Sequence, residues 1–160
     1  QAGLSWITVL KKRDNYRQAF CQFDPPAVAE LTEQDVTRLL QDNRLIRHSG
    51  KLMAIITNAR ALLAMEAAGE AFVPFLWGFV NHQTVIHHYA RHKEIPTQSA
   101  ESAQMAAALK KRGFKFVGST ICYAFMQACG LVNDHLLTCC CHPTNRHGDN
   151  PATDALSVKA

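Results

Sequence analysis

The sequence predicts an all-α fold, and three observations support this prediction. Apolar residues recur at helical spacing along most of the chain, no segment alternates with period two, and capping residues precede several apolar stretches. With 160 residues, 48% hydrophobic and 19% charged, the chain can bury a core as one domain. We expect a single helical domain over residues 1–142 and a disordered tail over residues 143–160, where Asn, Gly, Asp, Thr and Pro dominate.

Helix boundaries follow from local signals. Asp24 is placed to cap a short helix that starts with two prolines, and Thr32 with Asp35 forms a second capping pair. The spacing of Leu52, Ile56 and similar residues predicts the longest helix, which ends at Gly69. The other helices are predicted at residues 4–20, 72–80, 101–111 and 120–129, with a polar loop at 81–99 and a turn at 113–118.

Net charge and cysteine usage restrict the class of protein only broadly. A formal charge of +4 permits a nucleic acid partner without requiring one, and the basic runs at residues 11–13 and 110–115 could equally be solvated faces. Three of the six cysteines are consecutive, at residues 139–141, which is unlike a spaced disulfide framework. No secretory signal opens the chain. We therefore expect free or metal-binding thiols and a cytoplasmic protein.

Residues 116–133 form an uncharged run that approaches the length of a membrane span. Gly118, Ser119, Thr120, Gln127 and Gly130 interrupt it, so a buried helix is the better interpretation. We expect no membrane partner.

Residues 109–120 join two predicted helices by a turn that carries a glycine at each end, a helix-hairpin-helix arrangement. Gly118 permits a backbone geometry that a Cβ would hinder and leaves the amides of Ser119 and Thr120 free at a helix start, where a DNA phosphate could dock. Lys115 would add salt-sensitive attraction to the same backbone. An ordinary helical turn with a solvated basic flank explains the spacing equally well.

The segment Gly-Phe-Lys-Phe-Val-Gly-Ser-Thr-Ile-Cys-Tyr at 113–123, with Gly-Leu-Val-Asn-Asp-His at 130–135 and Cys139, closely resembles DNA-3-methyladenine glycosylase, type I. The segments at 1–13, 23–25, 46–51 and 75–77 are similar to the same family, in the same order. The resemblance covers about residues 1–145. It implies a helix-hairpin-helix base-excision enzyme that acts on double-stranded alkylated DNA as a monomer.

The resemblance assigns roles near the start of the chain. It makes Trp6 a wall of the base pocket, where a cationic methylated base would stack on the ring. It places Gly3 and Leu4 in the gap left by the extruded nucleotide, and Lys115, Gly118, Ser119 and Thr120 on the DNA backbone. Without it, Trp6 and Leu4 would be read as core residues.

The resemblance also implies a structural Zn²⁺ site that includes His135 and Cys139. These residues are four apart, so on a helix both would face the same way, although such a pair is more often incidental. The family's other two ligands, a Cys and a His near its N-terminus, have no counterpart after Gln1. Either this sequence carries half the site, or Cys140, Cys141 or His142 substitutes.

No residue of this sequence can be assigned the catalytic role. The pocket carboxylate and the aromatic hydroxyl that the resemblance implies would fall upstream of Gln1, so the sequence is expected to lack an N-terminal segment of the family. Asp134 stands near the acid of other helix-hairpin-helix glycosylases, but this family lacks that acid, and we expect Asp134 to cap a following helix. No Lys matches a lyase nucleophile, which predicts a monofunctional enzyme.

Two other functions are open from the residues alone. One is a noncatalytic DNA-binding protein that binds the phosphate backbone without excising a base. The other is a small zinc or redox module built on residues 139–142. The histidines at 82, 87, 88 and 92 match no closed ligand set and are interpreted as solvated loop residues.

Overall fold

The computed structural model describes residues 2–145, and most of this range is helical. The helices are α1 (Trp6–Leu10), α2 (Arg13–Ala19), α3 (Pro25–Ala29), α4 (Glu33–Leu39), α5 (Ser49–Ala67), α6 (Phe72–Gly78), α7 (Ala100–Lys111) and α8 (Ser119–Ala128). Short 3₁₀ turns cover Cys21–Phe23, His92–Glu94 and Pro143–Asn145. The rest of the predicted tail, residues 146–160, lies outside the described residues.

The predicted capping residues are confirmed. Asp24 accepts a hydrogen bond from the amide of Ala27 at 3.1 Å, with two prolines in the first turn of α3. Thr32 and Asp35 form a reciprocal capping box at the start of α4. These caps involve only neighbours in sequence, which is why the sequence alone places both helix starts correctly.

The single helix predicted over residues 4–20 is wrong, because the chain breaks into α1 and α2. Lys12 lies at the break with φ −106° and ψ 1°. Its Nζ donates to the carbonyl oxygens of Asn43 and Arg44 at 3.1 and 2.9 Å. This side chain therefore ties the break to a distant turn and is not a free surface charge.

Helix α5 connects two hydrophobic clusters. Its N-terminal half contributes Leu52 and Ile56 to a cluster with α2, α3 and α4. Its C-terminal half contributes Ala61 and Met65 to a second cluster with α6, α7 and α8. Because α5 lies between both clusters, it provides the fixed frame against which the other helices are placed.

The all-α prediction needs one correction, since β1 (Val85–Ile86) and β2 (Val132–Asn133) form a two-stranded parallel sheet. The amides of Val85 and His87 donate to the carbonyls of Leu131 and Asn133, each at 3.0 Å. Strands of two residues are too short to produce an alternating pattern, and their pairing joins segments 47 positions apart. The sheet fastens the polar loop at 81–99 to the segment after α8.

Within residues 2–145, no single helix is long and apolar enough to cross a membrane; α5 and α6 meet that criterion only together, and they are bent by 94°.

Candidate functional site

A cavity of about 780 Å³ lies between α1 and α2 on one side and α5, the 113–118 turn and α8 on the other. Its wall is largely apolar, with Val9, Leu10, Ile55, Val117 and Ile121 among its lining residues. The segments that form this wall are distant in sequence, so the cavity depends on how α5 positions them. A concave, mostly apolar cavity of this size suits a planar organic group.

Trp6 lies in this cavity and not in either hydrophobic cluster. It is the first residue of α1, its side chain is 55% exposed, and α1 contributes no buried residue. Within the described residues, Trp6 therefore belongs to neither part of the hydrophobic core. An exposed indole beside a cavity is available to stack on an aromatic ligand.

Gly3 and Leu4 precede α1, and Leu4 lines the same cavity with a side chain that is 37% exposed. Gly3 has φ +71°, a conformation that residues with a Cβ rarely adopt. Lys51 donates from Nζ to the carbonyl oxygen of Ala2, which fixes the turn just before Gly3. The structure therefore brings Gly3, Leu4 and Trp6 to one edge of the cavity.

Three cationic side chains, Arg13, Lys51 and Lys115, line the cavity. The Lys51 ammonium also lies 5.9 Å from the centre of the Phe116 ring. Such a group of cations attracts phosphate and raises the energy of a bound cation. The lining is therefore electrostatically suited to a DNA backbone at its mouth.

Helix α7, the turn at 113–118 and helix α8 form the helix-hairpin-helix arrangement that the sequence predicts. The N-cap of α8 is Gly118, and within residues 2–145 no side chain caps this helix start. The first-turn amides, which include those of Ser119 and Thr120, are consequently left for an external acceptor. The dipole of α8 would favour an anion at this position.

The sequence predicts that a Cβ at residue 118 would hinder the backbone geometry of the hairpin, and this prediction is wrong. Its φ of −71° and ψ of 162° are ordinary extended values, and a Cβ added there would meet no atom within 4 Å. Nothing within the described chain therefore requires a glycine. A Cβ on this N-cap residue of α8 would instead lie in open space.

The other residues predicted to contact the DNA backbone differ in how free they are to bind it. Lys115 and Thr120 are exposed. The Ser119 hydroxyl already donates to Oε1 of Gln98 at 2.5 Å, so a phosphate would compete with Gln98 for it. Arg112, in the same basic run, stacks on Phe75 at 4.2 Å and pairs with Glu70.

The Arg112–Glu70 pair is bidentate, with nitrogen to oxygen distances of 2.8 and 2.5 Å. Hydrogen bonds from the Arg112 guanidinium hold the pKa of Glu70 below its ordinary value. The same contact raises the pKa of Arg112. The Arg112 side chain therefore joins the end of α7 to the turn between α5 and α6.

His135 and Cys139 lie together but not on a helix, which corrects one expectation. They lie in an irregular segment after β2, where His135 Nδ1 is 3.5 Å from Cys139 Sγ. Cys141 completes a group of three whose ligand atoms all lie within 4.8 Å of one another. Two thiols and an imidazole are ligand types that zinc prefers, and the 3.5 Å between His135 and Cys139 lies within the roughly 3.3–3.8 Å expected between ligand atoms of a tetrahedral zinc.

His142 cannot substitute in that group. It is fully buried, its Nδ1 lies 2.8 Å from the Thr144 hydroxyl, and its Nε2 lies 3.1 Å from the carbonyl oxygen of His87. Both ring nitrogens are therefore engaged in fixing the C-terminal segment. Of the alternative ligands considered from the sequence, only Cys141 joins His135 and Cys139.

Asp134 does not cap a helix, because no helix follows it within the described residues. Its carboxylate, 6% exposed, accepts hydrogen bonds from Tyr123 at 2.7 Å and Gln127 at 2.8 Å, and lies 2.6 Å from His87 Nδ1. Burial and the contact with Asp134 raise the pKa of Tyr123. Asp134 therefore joins α8 to the β1 segment and does not line the 780 Å³ cavity.

Sequence reasoning missed three residues at the cavity. Tyr16 lines it, and its hydroxyl oxygen accepts from the amide of Ile46 at 3.3 Å, while burial raises its pKa. Phe116 lines it with φ +57°, which no pattern in the sequence signals. Asn58 contacts the hairpin across a sequence distance of 57 residues, so only the fold could reveal it.

Comparisons with known proteins agree with this arrangement. The family model described as methyladenine glycosylase matches residues 1–142. The "DNA-3-methyladenine glycosylase 1" of Escherichia coli (strain K12) is 63% identical over 146 residues, which cover 91% of this chain and 78% of that protein.

Two solved structures are also similar. A crystal structure of 3-methyladenine DNA glycosylase I superposes with a TM-score of 0.88 at 63% identity, covering 89% of this chain and 79% of that one. A tyrosine-to-phenylalanine variant of a 3-methyladenine DNA glycosylase I, in complex with 3-methyladenine, gives 0.84 at 36% identity, covering 93% and 78%. The chain therefore belongs to the methyladenine glycosylase family, a family of DNA repair hydrolases, as its motifs predict.

Proposed function

We propose that this protein hydrolyses the N-glycosidic bond of 3-methyladenine in alkylated double-stranded DNA. The observation that carries the proposal is the placement of Trp6 at a cavity that also borders the hairpin and its uncapped helix. One surface thus offers a site for a base next to a site for the DNA backbone. The relatives that bear this activity in their names support the same assignment.

The base would leave the duplex before the reaction, because its glycosidic bond is not accessible inside the stack. Trp6 would stack on the flipped base, whose positive charge is attracted to the π-face of the indole. Gly3 and Leu4 would occupy the gap in the duplex. Lys115, Gly118, Ser119 and Thr120 would hold the adjacent phosphate through charge and helix-terminal amides.

The reaction needs no strong catalytic group from the protein, because the methylated base is already a good leaving group. The bond between C1′ and the base nitrogen breaks, its electron pair neutralises the base, and a water oxygen adds to C1′ and loses a proton. Free base and an abasic site result. The contribution of the protein is to bind and orient the extruded nucleotide in the transition state, without a covalent amine intermediate.

Incubation of the chain with methylated duplex DNA tests this proposal. Release of free 3-methyladenine supports it, and the absence of a borohydride-trapped protein–DNA adduct supports a monofunctional reaction. Duplex binding without base release would contradict it.

A chain that binds duplex DNA without releasing a base would have the second candidate function, that of a noncatalytic DNA-binding protein. Arg13, Lys51 and Lys115 favour it, because three cations along the cavity suit phosphate better than a cationic base. The same incubation separates the two functions, since both require duplex binding and only the first releases a base.

We also propose that His135, Cys139 and Cys141 hold a structural Zn²⁺, as supported by the ligand type and spacing of the three residues. When bound, the ion would cross-link the irregular segment after β2 and supply stability. Metal analysis should find one zinc per chain, with a lower content in Cys141→Ser but not in the exposed control Cys129→Ser. Equal zinc content in both variants would remove Cys141 from the site.

A monomeric, cytoplasmic enzyme is the remaining part of the proposal. All six cysteines are free thiols, which suits a reducing compartment. Light scattering should give the mass of one chain, and the mass of two would contradict this.

A further inference from the structure

One side chain of α5 contacts the hairpin at two points. The amide nitrogen Nδ2 of Asn58 donates to the carbonyl oxygen of Lys115 at 3.2 Å, and its Oδ1 accepts from the Lys115 backbone amide at 2.8 Å. A side-chain amide thus replaces the two hydrogen bonds that a neighbouring strand would make with this residue. The contact spans 57 positions of sequence and joins the hairpin to the central helix.

The hairpin has little other backbone support at this point. The amides of Gly113 and Phe114 bond back to α7, and that of Cys122 bonds to the carbonyl of Gly118. Between them, within the described range, the amides of residues 115–117 make no bond to another backbone group. The two hydrogen bonds of Asn58 are therefore the main polar restraint on the middle of the turn.

Apolar anchors flank the same stretch without fixing it. Phe114 is buried and stacks on Phe72 with ring centres 5.8 Å apart, and Val117 packs against the second cluster. Lys115 and Phe116 lie between these anchors, and both are exposed. Their direction is thus set by the backbone conformation of the turn.

That conformation is unusual at Phe116, whose φ of +57° is costly for a residue with a Cβ. It directs an aromatic ring, 44% exposed, to the cavity wall, where its edge contacts His48 at a centre distance of 6.1 Å. The surrounding structure must maintain such a conformation. The hydrogen bonds of Asn58 to the preceding residue are placed to do this.

We propose that Asn58 is a positioning residue for DNA binding, which holds the hairpin so that Lys115 and Phe116 face the duplex at the mouth of the cavity. This inference rests on the proposed function. Asn58 acts through the hairpin and not by contact with the reacting atoms. The buried neighbours Leu52 and Ile56 anchor α5 independently of it, so its loss loosens the turn and leaves the helix in place.

The test compares Asn58→Ala, Asn58→Asp and the control Asn15→Ala by fluorescence anisotropy with duplex DNA. Asn15 is a matched control because, within residues 2–145, its side chain makes a single marginal hydrogen bond, 3.5 Å to the carbonyl of Arg44. Loss of two hydrogen bonds should weaken duplex affinity by about tenfold. Asn58→Asp should lose nearly as much, because a carboxylate oxygen would face the Lys115 carbonyl.

Two further readouts separate positioning from general stability. Hydrogen exchange at the Lys115 amide should accelerate in Asn58→Ala while amides of α5 stay protected. In a double-mutant cycle, Asn58→Ala should weaken binding much less when Lys115→Ala is already present, since the two changes act on one contact.

Each contrary outcome has a defined meaning. If the unsubstituted chain binds duplex and Asn58→Ala binds it equally well, the inference fails and the proposed function stands. Additive effects in the cycle, or loss of protection throughout α5, would assign Asn58 to the fold alone. If the unsubstituted chain does not bind duplex, the proposed function fails and the inference fails with it.

Discussion

At the scale of single residues, exposure decides between two roles for Trp6. A tryptophan beside Leu4 and Ile7 is expected in a core, yet Trp6 is 55% exposed and Ile7 57% exposed. Trp77, the other tryptophan, packs against the second hydrophobic cluster. Exposure therefore separates a tryptophan that is available to a ligand from one that packs in the fold.

Trp6→Ala should weaken binding of 3-methyladenine by roughly threefold to thirtyfold, the range expected for loss of a cation–π contact. The melting temperature of the variant should change little, because Trp6 is 55% exposed and belongs to neither hydrophobic cluster of the described residues. Calorimetric titration and thermal unfolding measure the two quantities, with Trp77→Phe as the control that affects stability but not ligand affinity. Unchanged affinity combined with a large loss of melting temperature would assign Trp6 to the fold.

Asp134→Asn should lower the free energy of unfolding by about 3 kcal/mol, because the buried acceptor of Tyr123, Gln127 and His87 loses its charge. Asp134 does not line the cavity, so base release by the folded variant should be retained. Denaturant unfolding and a base-release assay at low temperature provide the measurements. A stable variant without activity would make Asp134 catalytic after all.

At the scale of elements, the sequence predicts structure that depends on neighbouring residues and misses structure that depends on residues distant in sequence. The caps at Asp24 and Thr32 depend on residues three positions away, and the sequence predicts both. The break between α1 and α2 depends on Lys12 contacting residues 43 and 44, and the sequence does not signal it. The β1–β2 pair is missed for the same reason, since it joins segments 47 positions apart.

The candidate site divides in the same way. Trp6, Leu4, Lys115 and the start of α8 were predicted as site residues from motifs of the family, and their roles stay predictions. Asn58 and Phe116 were not, since the first acts across 57 residues and the second through a backbone angle.

Gly118→Ala is the substitution that best tests whether the hairpin binds a DNA phosphate. The φ of −71° suits alanine and its Cβ would meet no protein atom within 4 Å, so stability should hold or rise slightly. Duplex affinity should fall by at least tenfold if a phosphate docks closely on the α8 amides, because a methyl group on the N-cap residue would crowd it.

Anisotropy and thermal unfolding check both expectations for Gly118→Ala. Gly78→Ala is the control, since a Cβ there also meets nothing within 4 Å but lies in α6. Equal duplex affinity of Gly118→Ala and the unsubstituted chain would show that the phosphate docks elsewhere.

At the scale of the whole molecule, the cavity is a product of topology. Helix α5 carries α2, α3 and α4 on one hydrophobic cluster and α6, α7 and α8 on the other. This arrangement brings α1 opposite the hairpin and leaves about 780 Å³ between them. We infer that this cavity, with Trp6 at its edge, receives the base while the hairpin holds the backbone.

The indole N–H resonances test that claim most directly, because the chain contains only two tryptophans. Titration with 3-methyladenine should shift the Trp6 signal, assigned by its loss in Trp6→Phe, and leave the Trp77 signal in place. A shift of Trp77 alone, or of neither signal at saturating base, would show that the base does not bind beside Trp6.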